Sequence, residues 1–341
     1  YRYLRTPSFE EIESKLAQNA MEHMGLDEGE GTIGLHFETH DPTNAFKSLQ
    51  LYVEQLGIES PAGEVGAGLQ SAIVIAIFRT YEEMKREGAI FAVEEPEVFL
   101  HPQKARYFET VLSRLAQSGN QVLLTTHSPV FVKIHQPESV ALIRRTRELG
   151  TWAYHPKIMD LSDTQRQTLR LLTEFHTERK ELFFAKGVVL VEGGTEKVSL
   201  PLIFSALDED INRLGISVVE VGGKTKFPLF VRVLNGLKIP HVVIADHDIR
   251  EIDTEWSDKR KEKERKRNND HQRWNADIEA VCQPSALFWL KPDFESELGL
   301  PHEESEKIDK ALALFSTATR ETIPQCLLAP ISALLEKVKQ C

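Results

Sequence analysis

Two pairs of carboxylates in the C-terminal half of the chain follow apolar segments at spacings that suit metal binding. Glu192 and Glu196 flank the turn after VVLV, and Asp246 and Asp248 follow VVIA. Because residues i and i+2 of an extended strand face the same side, the two aspartates can converge on one ion. Carboxylate oxygens without thiols favour Mg²⁺, Mn²⁺ or Ca²⁺ over zinc. The pattern predicts a divalent metal site, and two such ions can act on a phosphodiester.

A second set of residues, in the N-terminal half, suits the chemistry of ATP. The apolar segment AIFAV is followed by Glu94 and Glu95, and the next apolar segment, QVLLTT, is followed by His127. The first acid of such a pair orients the magnesium shell, and the second polarises the water that attacks the γ-phosphate. A histidine at the same sheet edge can contact the γ-phosphate. These residues predict a site for ATP with Mg²⁺.

Gly66, Gly68 and Gln70 lie at the start of a long apolar helix. Bare glycine amides at a helix N-terminus form an anion site. We expect this site to face nucleotide bound on a second subunit, which predicts a homodimer or a higher homo-oligomer.

The sequence does not complete a P-loop. Gly223-Lys224-Thr225 imitates its end, but the first glycine of G-x-x-x-x-G-K-[ST] would fall at Val218, inside an apolar strand. A turn between strand and helix explains this segment better. Since the chain begins at Tyr1 and not at Met, we expect that its N-terminus is missing. Either the P-loop lies upstream, or this chain does not hydrolyse ATP alone.

The elements that must position these residues alternate between strand and helix. A strand–helix–strand unit spans the residues between Glu94 and His127, and a second αβ alternation begins near Gly187. Ligand sites of open α/β sheets gather where strands end. We therefore predict an α/β fold with two domains, at residues 1–180 and 181–341, the second with a mainly parallel sheet.

Composition narrows the class of protein. The chain of 341 residues has a net charge of −11, three cysteines far apart, and no apolar run of membrane-spanning length. A soluble protein of the reducing cytosol, without membrane contact, is expected. The segment KRKEKERKR at 259–267 packs seven basic residues into nine positions. It is either a solvated surface segment or an arm that follows nucleic-acid phosphates.

Together these motifs resemble two known modules. Residues 64–130 resemble ABC-type ATPases of the SMC/RecF kind, and EEPEVFLHPQKAR resembles the OLD (overcoming lysogenisation defect) family in particular. The strand–Glu–Gly and Asp-x-Asp patterns resemble the Toprim domain. An ATPase followed by a Toprim domain is the arrangement of OLD-family nucleases, and the resemblance covers about residues 60–300.

The resemblance implies roles for individual residues. Glu95 would be the catalytic glutamate and His127 the switch histidine of a nucleotide sandwiched in a dimer. Glu192 would be the Toprim glutamate. The implied metal ligands are Glu192, Glu196, Asp246, Asp248, Asp293 and Glu295. A downstream lysine near the scissile phosphate is a further family feature, for which we take Lys310, with Lys307 as the alternative.

The implied function is a DNA endonuclease with two metal ions, Mg²⁺ or Mn²⁺, gated by the ATPase module. Ca²⁺ would be an inhibitory substitute. The family further implies a role in bacterial anti-phage defence, with a partner protein or a reverse-transcriptase element. The alternative is a nucleotide-gated scaffold of the SMC/RecF kind that binds nucleic acid without cleaving it. A topoisomerase or a primase fits poorly, because no strand-passing module is recognisable and a primase does not suit an ATPase half.

Overall fold

The computed structural model describes residues 6–24, 31–37, 49–55, 58–84, 87–133, 135–146, 150–155, 161–174, 176–300 and 304–339. The chain divides into two compact units, Tyr1–Phe131 and Val132–Cys341. Each of them has its own hydrophobic core.

The first unit begins with an antiparallel sheet packed against helices. Strands β1 (Gly31–Phe37), β2 (Leu49–Gln55) and β3 (Ile58–Pro61) lie in that order. Helices α1 (Pro7–Met24) and α2 (Ala67–Glu83) share a buried core with β1 and β2.

A βαβ unit completes the first unit, as the sequence predicts. Strands β4 (Ile90–Glu94) and β5 (Gln121–Thr125) pair in parallel, and α3 (Pro102–Gln117) connects them. Glu94 pairs with Thr125 in this register, so both strands end at the same edge. Residues that follow β4 and β5 are thereby brought side by side.

A four-stranded parallel sheet forms the centre of the second unit, which confirms the predicted mainly parallel sheet. Its strands are β8 (Gly187–Val191), β9 (Ile216–Glu220), β10 (His241–Asp246) and β11 (Leu287–Leu290), in the order β11-β10-β8-β9. All five residues of β8 are buried, because helices cover both faces of the sheet. The neighbouring positions of β8 and β10 place the residues after these strands together.

Alternate residues of these strands enter two separate cores. The core on one face includes α8 (Phe227–Gly236), and the core on the other includes α6 (Gly194–Ala206) and α12 (Gln325–Lys339). The remaining helices of this part are α7 (Ile211–Leu214), α9 (Asp258–Glu279), α10 (Phe294–Leu298) and α11 (Glu304–Ser316).

The segment that precedes the parallel sheet belongs to the second unit and packs against its core. It contains the antiparallel pair β6 (Leu142–Thr146) and β7 (Gly150–Tyr154), then α4 (Asp163–Glu174) and α5 (Thr177–Lys180). Leu169, in α4, is buried in the same core as β8. The compact unit thus begins before residue 180, and the domain boundary there stays a prediction. Among the described residues no helix has the length and apolarity to span a membrane.

Candidate functional site

Three carboxylates meet at the carboxyl edge of the parallel sheet. Glu192 directly follows β8, Asp246 is the last residue of β10, and Asp248 lies two residues further on. One oxygen from each lies within 4.8 Å of the others. The convergence that the sequence predicts for these residues is therefore present in the fold.

Glu192 has a buried carboxylate oxygen, Oε2, without a hydrogen-bond partner among the described residues. Burial, with the charge of Asp248 as the next cause, raises the pKa of Glu192 to about 7. An unpaired buried carboxylate oxygen is costly unless a cation neutralises it. The carboxylate donor set and this orphaned oxygen fit a hard divalent cation.

Asp246 lies in a similar environment. Its Oδ1 accepts a hydrogen bond of 2.8 Å from the backbone N–H of Phe294, at the start of α10. Burial, followed by the charges of Glu196 and Glu192, raises the pKa of Asp246 to about 9. Without a cation, the folded protein therefore favours a proton on this carboxylate at neutral pH.

Asp248 reaches the site by a route other than the predicted one. Its backbone has φ 61°, in the left-handed region, so the chain bends after β10 and is not extended. The expected face-sharing of an extended Asp-x-Asp is wrong in this detail. The bend is held by the N–H of Asp248, which donates to the carbonyl of Pro292 at 2.6 Å.

Three nitrogen-bearing side chains surround the carboxylate of Asp248. Lys224 Nζ lies 3.2 Å from Oδ2, His271 Nδ1 lies 3.4 Å from Oδ2, and Arg267 Nη2 lies 3.7 Å from Oδ1. Lys224 also donates to the carbonyl of His247 at 3.1 Å, and its side chain is 3% exposed. Asp248 is therefore held from two sides by positively charged groups.

Sequence reasoning missed these three partners. Lys224 was correctly placed in a strand-to-helix turn, but as a decoy for a P-loop. The signal that could have found it is its position after β9, at the same carboxyl edge as Glu192. Arg267 and His271 lie in α9, inside or just beyond the basic segment, where no motif marks them.

Glu196 lies close to this site in the first turn of α6. It is 6% exposed, and burial raises its pKa, with the charge of Glu295 among the causes. Glu196 therefore stands between the carboxylates of the sheet edge and the acids that follow β11.

The two acids of the Asp-Phe-Glu segment have different partners. Asp293 caps α10 by accepting from the N–H of Ser296 at 2.8 Å, and it pairs with Arg250 Nη2 at 2.8 Å. Glu295 pairs with Lys307 Nζ at 3.3 Å. Both acids are thus neutralised by side chains in this structure.

The two candidate lysines differ in their surroundings. Lys307 contacts Glu295, one of the predicted metal ligands. Lys310 is half exposed and pairs with Glu306, one turn earlier in α11, at 2.6 Å. The structure therefore brings Lys307 toward the acidic site and leaves Lys310 in a surface ion pair.

In the first unit, the predicted nucleotide residues that follow β4 and β5 lie side by side. His127 Nε2 is 3.8 Å from Glu95 Oε1, and Glu94 ends β4. Glu97 was not assigned a role from sequence, yet it accepts from the Thr126 hydroxyl at 2.8 Å and from the His127 N–H at 2.7 Å. Glu97 therefore orients the loop that carries the histidine.

The glycines at the start of α2 have open surroundings. A Cβ added at Gly66 or at Gly68 would meet no atom within 4 Å. Gln70 is engaged locally, since its side-chain amide donates to the carbonyls of Gly63 and Val65, each at 2.9 Å. Its contribution here is to brace the turn before the helix.

Comparison with known families finds both modules. Residues 183–248 match the Overcoming lysogenization defect protein-like TOPRIM domain, and residues 7–132 match an AAA ATPase domain. The predicted order, an ATPase domain followed by a Toprim domain, is confirmed.

Similar proteins include three nucleases. The chain is 31% identical over 336 residues to the OLD nuclease of Thermus scotoductus. The aligned region covers 97% of this chain and 64% of that protein. It is 26% identical over 232 residues to the Old nuclease of Escherichia phage P2, and this region covers 64% of this chain and 39% of the phage protein. It is 27% identical over 233 residues to the endonuclease GajA of Bacillus cereus, and this region covers 60% of this chain and 33% of GajA. The chain thus spans less than two thirds of the length of each of these relatives.

Proposed function

We propose that this chain belongs to the OLD family and is a metal-dependent DNA endonuclease gated by an ABC-type ATPase module. The observation that carries the proposal is the meeting of Glu192, Asp246 and Asp248 at one sheet edge, with a buried carboxylate oxygen left unpaired. Such an arrangement is destabilising unless the site binds a cation.

The chain's own residues would divide the work of metal binding. Glu192, Asp246 and Asp248 would hold the first ion, and Glu196, Asp293 and Glu295 would supply ligands for the second. When bound, Mg²⁺ or Mn²⁺ would activate water and stabilise the leaving oxygen of the phosphodiester. Ca²⁺ would occupy the site as an inhibitory substitute.

Nearby cations would adjust the geometry and charge of this site. Lys224 and His271 hold the Oδ2 side of Asp248. Its Oδ1 atom would bind the metal, with Arg267 Nη2 3.7 Å away. Lys307 would be freed from Glu295 by a second ion and could then contact a phosphate. We place Lys307 before Lys310 in that role because Lys310 pairs with Glu306 on the helix surface.

The first unit would bind ATP with Mg²⁺ and thereby control the access of DNA to the nuclease site or the activity of that site. Glu94 would orient the magnesium shell, Glu95 would polarise the attacking water, and His127 would contact the γ-phosphate. Gly66, Gly68 and Gln70 would face nucleotide of a second subunit, so the functional form would be a homodimer or a higher homo-oligomer. Hydrolysis would require a P-loop in addition to the residues present here.

The family also supplies the biological setting that we propose. The three similar proteins named above are nucleases, one of them from a phage. We place this chain among bacterial anti-phage effectors of the cytosol that act with a partner protein or a reverse-transcriptase element.

A plasmid assay tests the nuclease proposal. Supercoiled plasmid would be incubated with the protein and Mg²⁺ or Mn²⁺, beside the Asp246→Ala/Asp248→Ala variant. We expect nicked or linear product from the native protein and a loss of at least about 100-fold in the variant, because the first ion loses two of its three ligands. Equal, metal-independent behaviour of the two proteins would favour a nucleic-acid-binding scaffold over a nuclease.

A further inference from the structure

Helix α9 (Asp258–Glu279) turns one of its faces toward the acidic site. Arg267 and His271 contact Asp248, and Asn275 donates to the carbonyl of His247 at 2.9 Å. The residues that are at least partly covered recur every three or four positions, as one side of a helix does: Lys261, Glu264, Arg267, His271, Trp274, Asn275 and Ile278. The helix therefore lies directly beside the proposed metal ligands.

A row of basic side chains follows the helix beside that covered face. We call it the basic stripe; it consists of Lys259, Lys263, Lys266 and Arg273. These positions are spaced by four, three and seven residues, so they lie on one side of the helix. The exposed Asp270 occupies the gap of seven, so the row carries four cations and one acid. At 1.5 Å per residue the stripe is about 21 Å long.

All four side chains of the basic stripe are exposed, and none has a hydrogen bond or an ion pair with any residue in the described ranges. The side chains of Arg232 and Arg320, elsewhere in the second unit, are likewise exposed and without such partners among the described residues. The stripe is therefore distinguished by the spacing of its cations along one helix, and by the contact of that helix with Asp248.

Arg267 connects the basic stripe to the acidic site. It lies one residue after Lys266, at the border between the covered face and the stripe, and its guanidinium reaches to 3.7 Å from Asp248. An acidic metal site repels a polyanion, so a cationic track must reach its edge to bring a phosphodiester in.

We propose that the basic stripe of α9 binds the phosphate backbone of DNA and leads it to the carboxylates at the sheet edge. The inference rests on the proposed function in taking DNA as the ligand. The sequence leaves open whether the basic segment 259–267 is a solvated surface or an arm that follows nucleic-acid phosphates, and the inference favours the second. The supporting features are the exposure of the four cations, their spacing along one side of α9, and the contact of that helix with Asp248.

DNA binding without cleavage tests the inference. A fluorescein-labelled 30-bp duplex would be titrated in EDTA at 50–300 mM salt, with anisotropy as the readout. The test variant is Lys259→Gln/Lys263→Gln/Lys266→Gln. The charge-matched control is Arg213→Gln/Arg232→Gln/Arg320→Gln, at exposed positions elsewhere in the second unit. Circular dichroism would verify that both remain helical.

The loss of three phosphate contacts should lower the slope of log K against log[salt] by about 2.7. Affinity at 0.1 M salt should fall by about 500-fold, from the same relation. The control and a Lys→Arg triple variant at the stripe should retain the slope of the native protein. An unchanged slope in the stripe variant would overturn the inference, as would absence of DNA binding by the native protein. Stripe-dependent binding to phosphatidylserine vesicles, and not to DNA, would also overturn it.

Cleavage is scored separately, so the two proposals fail in different ways. A native protein that binds DNA through the stripe but does not nick plasmid in Mg²⁺ or Mn²⁺ contradicts only the nuclease proposal. A protein that nicks plasmid with unchanged binding in the stripe variant contradicts only this inference.

Discussion

Burial of like charges controls the chemistry of Glu192 and Asp246. The pKa of Glu192 is raised to about 7 and that of Asp246 to about 9, because the fold removes both from water and places other carboxylates beside them. A proton or a metal ion relieves the same repulsion. Metal binding and protonation are therefore competing events at this site.

This competition predicts a pH dependence of stability. A carboxyl with a raised pKa in the folded state binds more protons folded than unfolded, so its contribution to stability falls as pH rises. In EDTA, we expect the Tm to decline as the pH rises from about 5 to about 9, through the raised pKa values of Glu192 and Asp246. Asp246→Asn should reduce the decline, and Mg²⁺ should raise the Tm more at pH 8 than at pH 6. Thermal melts across that pH range measure both effects. Curves of Tm against pH that run parallel with and without Mg²⁺ would contradict the prediction.

Lys224 is the second residue whose removal should be informative. Its ammonium is buried against Asp248, so Lys224→Met leaves a carboxylate with less compensation. We expect a loss of stability of about 3 kcal/mol in EDTA. The loss should be smaller in Mg²⁺, because the ion replaces part of the missing charge. Chemical denaturation in both buffers measures this, with Lys224→Arg as the charge-preserving control. Equal losses in EDTA and Mg²⁺ would show that Lys224 does not serve the metal site.

Sequence patterns predicted the acids of this site and not their partners, for a physical reason. Glu192 and Asp246 end apolar strands, and the ends of parallel strands share an edge. Lys224 follows β9, which lies on the far side of β8 from β10. Its approach to Asp248 depends on the order of strands in the sheet, which the local pattern does not contain.

At the scale of elements, the close packing of β8 against α12 fixes the strand that carries Glu192. A Cβ at Gly187 would lie 2.5 Å from Val338 Cγ2 and 3.1 Å from Leu334 Cδ1. The absence of a side chain at the first residue of β8 therefore lets the helix approach the sheet.

Gly187→Val should consequently destabilise the second unit by about 1–3 kcal/mol through overpacking. Gly194→Ala is a glycine control in the same unit, because the nearest atom to its added Cβ is Ile308 Cδ1 at 4.0 Å. Urea unfolding followed by tryptophan fluorescence compares them, since all four tryptophans lie beyond residue 131. A Gly187→Val protein as stable as the native one would contradict this account of the β8–α12 contact.

Helix α9 shows what an element-level pattern can and cannot predict. The basic segment 259–267 was visible in the sequence, but its helical period alone could not determine which side is covered. The contacts of Arg267 and His271 with Asp248 assign the covered side. The unpaired cations are thereby placed on the neighbouring side.

At the scale of the whole molecule, the chain joins an ATPase domain to a Toprim domain. The order of the two modules was predictable from their motifs, since each carries acids at the ends of apolar strands. The exact boundary between the domains was less predictable from the sequence. The segment from Val132 to α5 has few apolar strands of its own, yet it belongs to the second compact unit and shares its core.

The proximity of Glu95 and His127 predicts nucleotide-dependent behaviour of a full-length protein in which a P-loop completes this site. If an upstream P-loop completes the site, we expect ATP turnover, and Glu95→Gln should slow hydrolysis by at least about 100-fold while retaining bound ATP. Phosphate release and nucleotide retention measure the two effects. Glu64→Gln, at an exposed position of the same unit, is the control. Absence of nucleotide binding by the full-length protein would contradict the proposed gating.

The central claim is that Glu192, Asp246 and Asp248 hold the metal that acts on DNA. The most direct test measures Mn²⁺ binding by calorimetry and plasmid nicking on the same samples of native protein, Glu192→Gln and Glu220→Gln. Glu220 ends the neighbouring strand β9 and pairs with Arg179, so it is a matched glutamate outside the cluster. We predict that Glu192→Gln loses both Mn²⁺ affinity and nicking by at least about tenfold, as expected for loss of a charged ligand. Glu220→Gln should retain both. Native binding and nicking by Glu192→Gln would contradict the account.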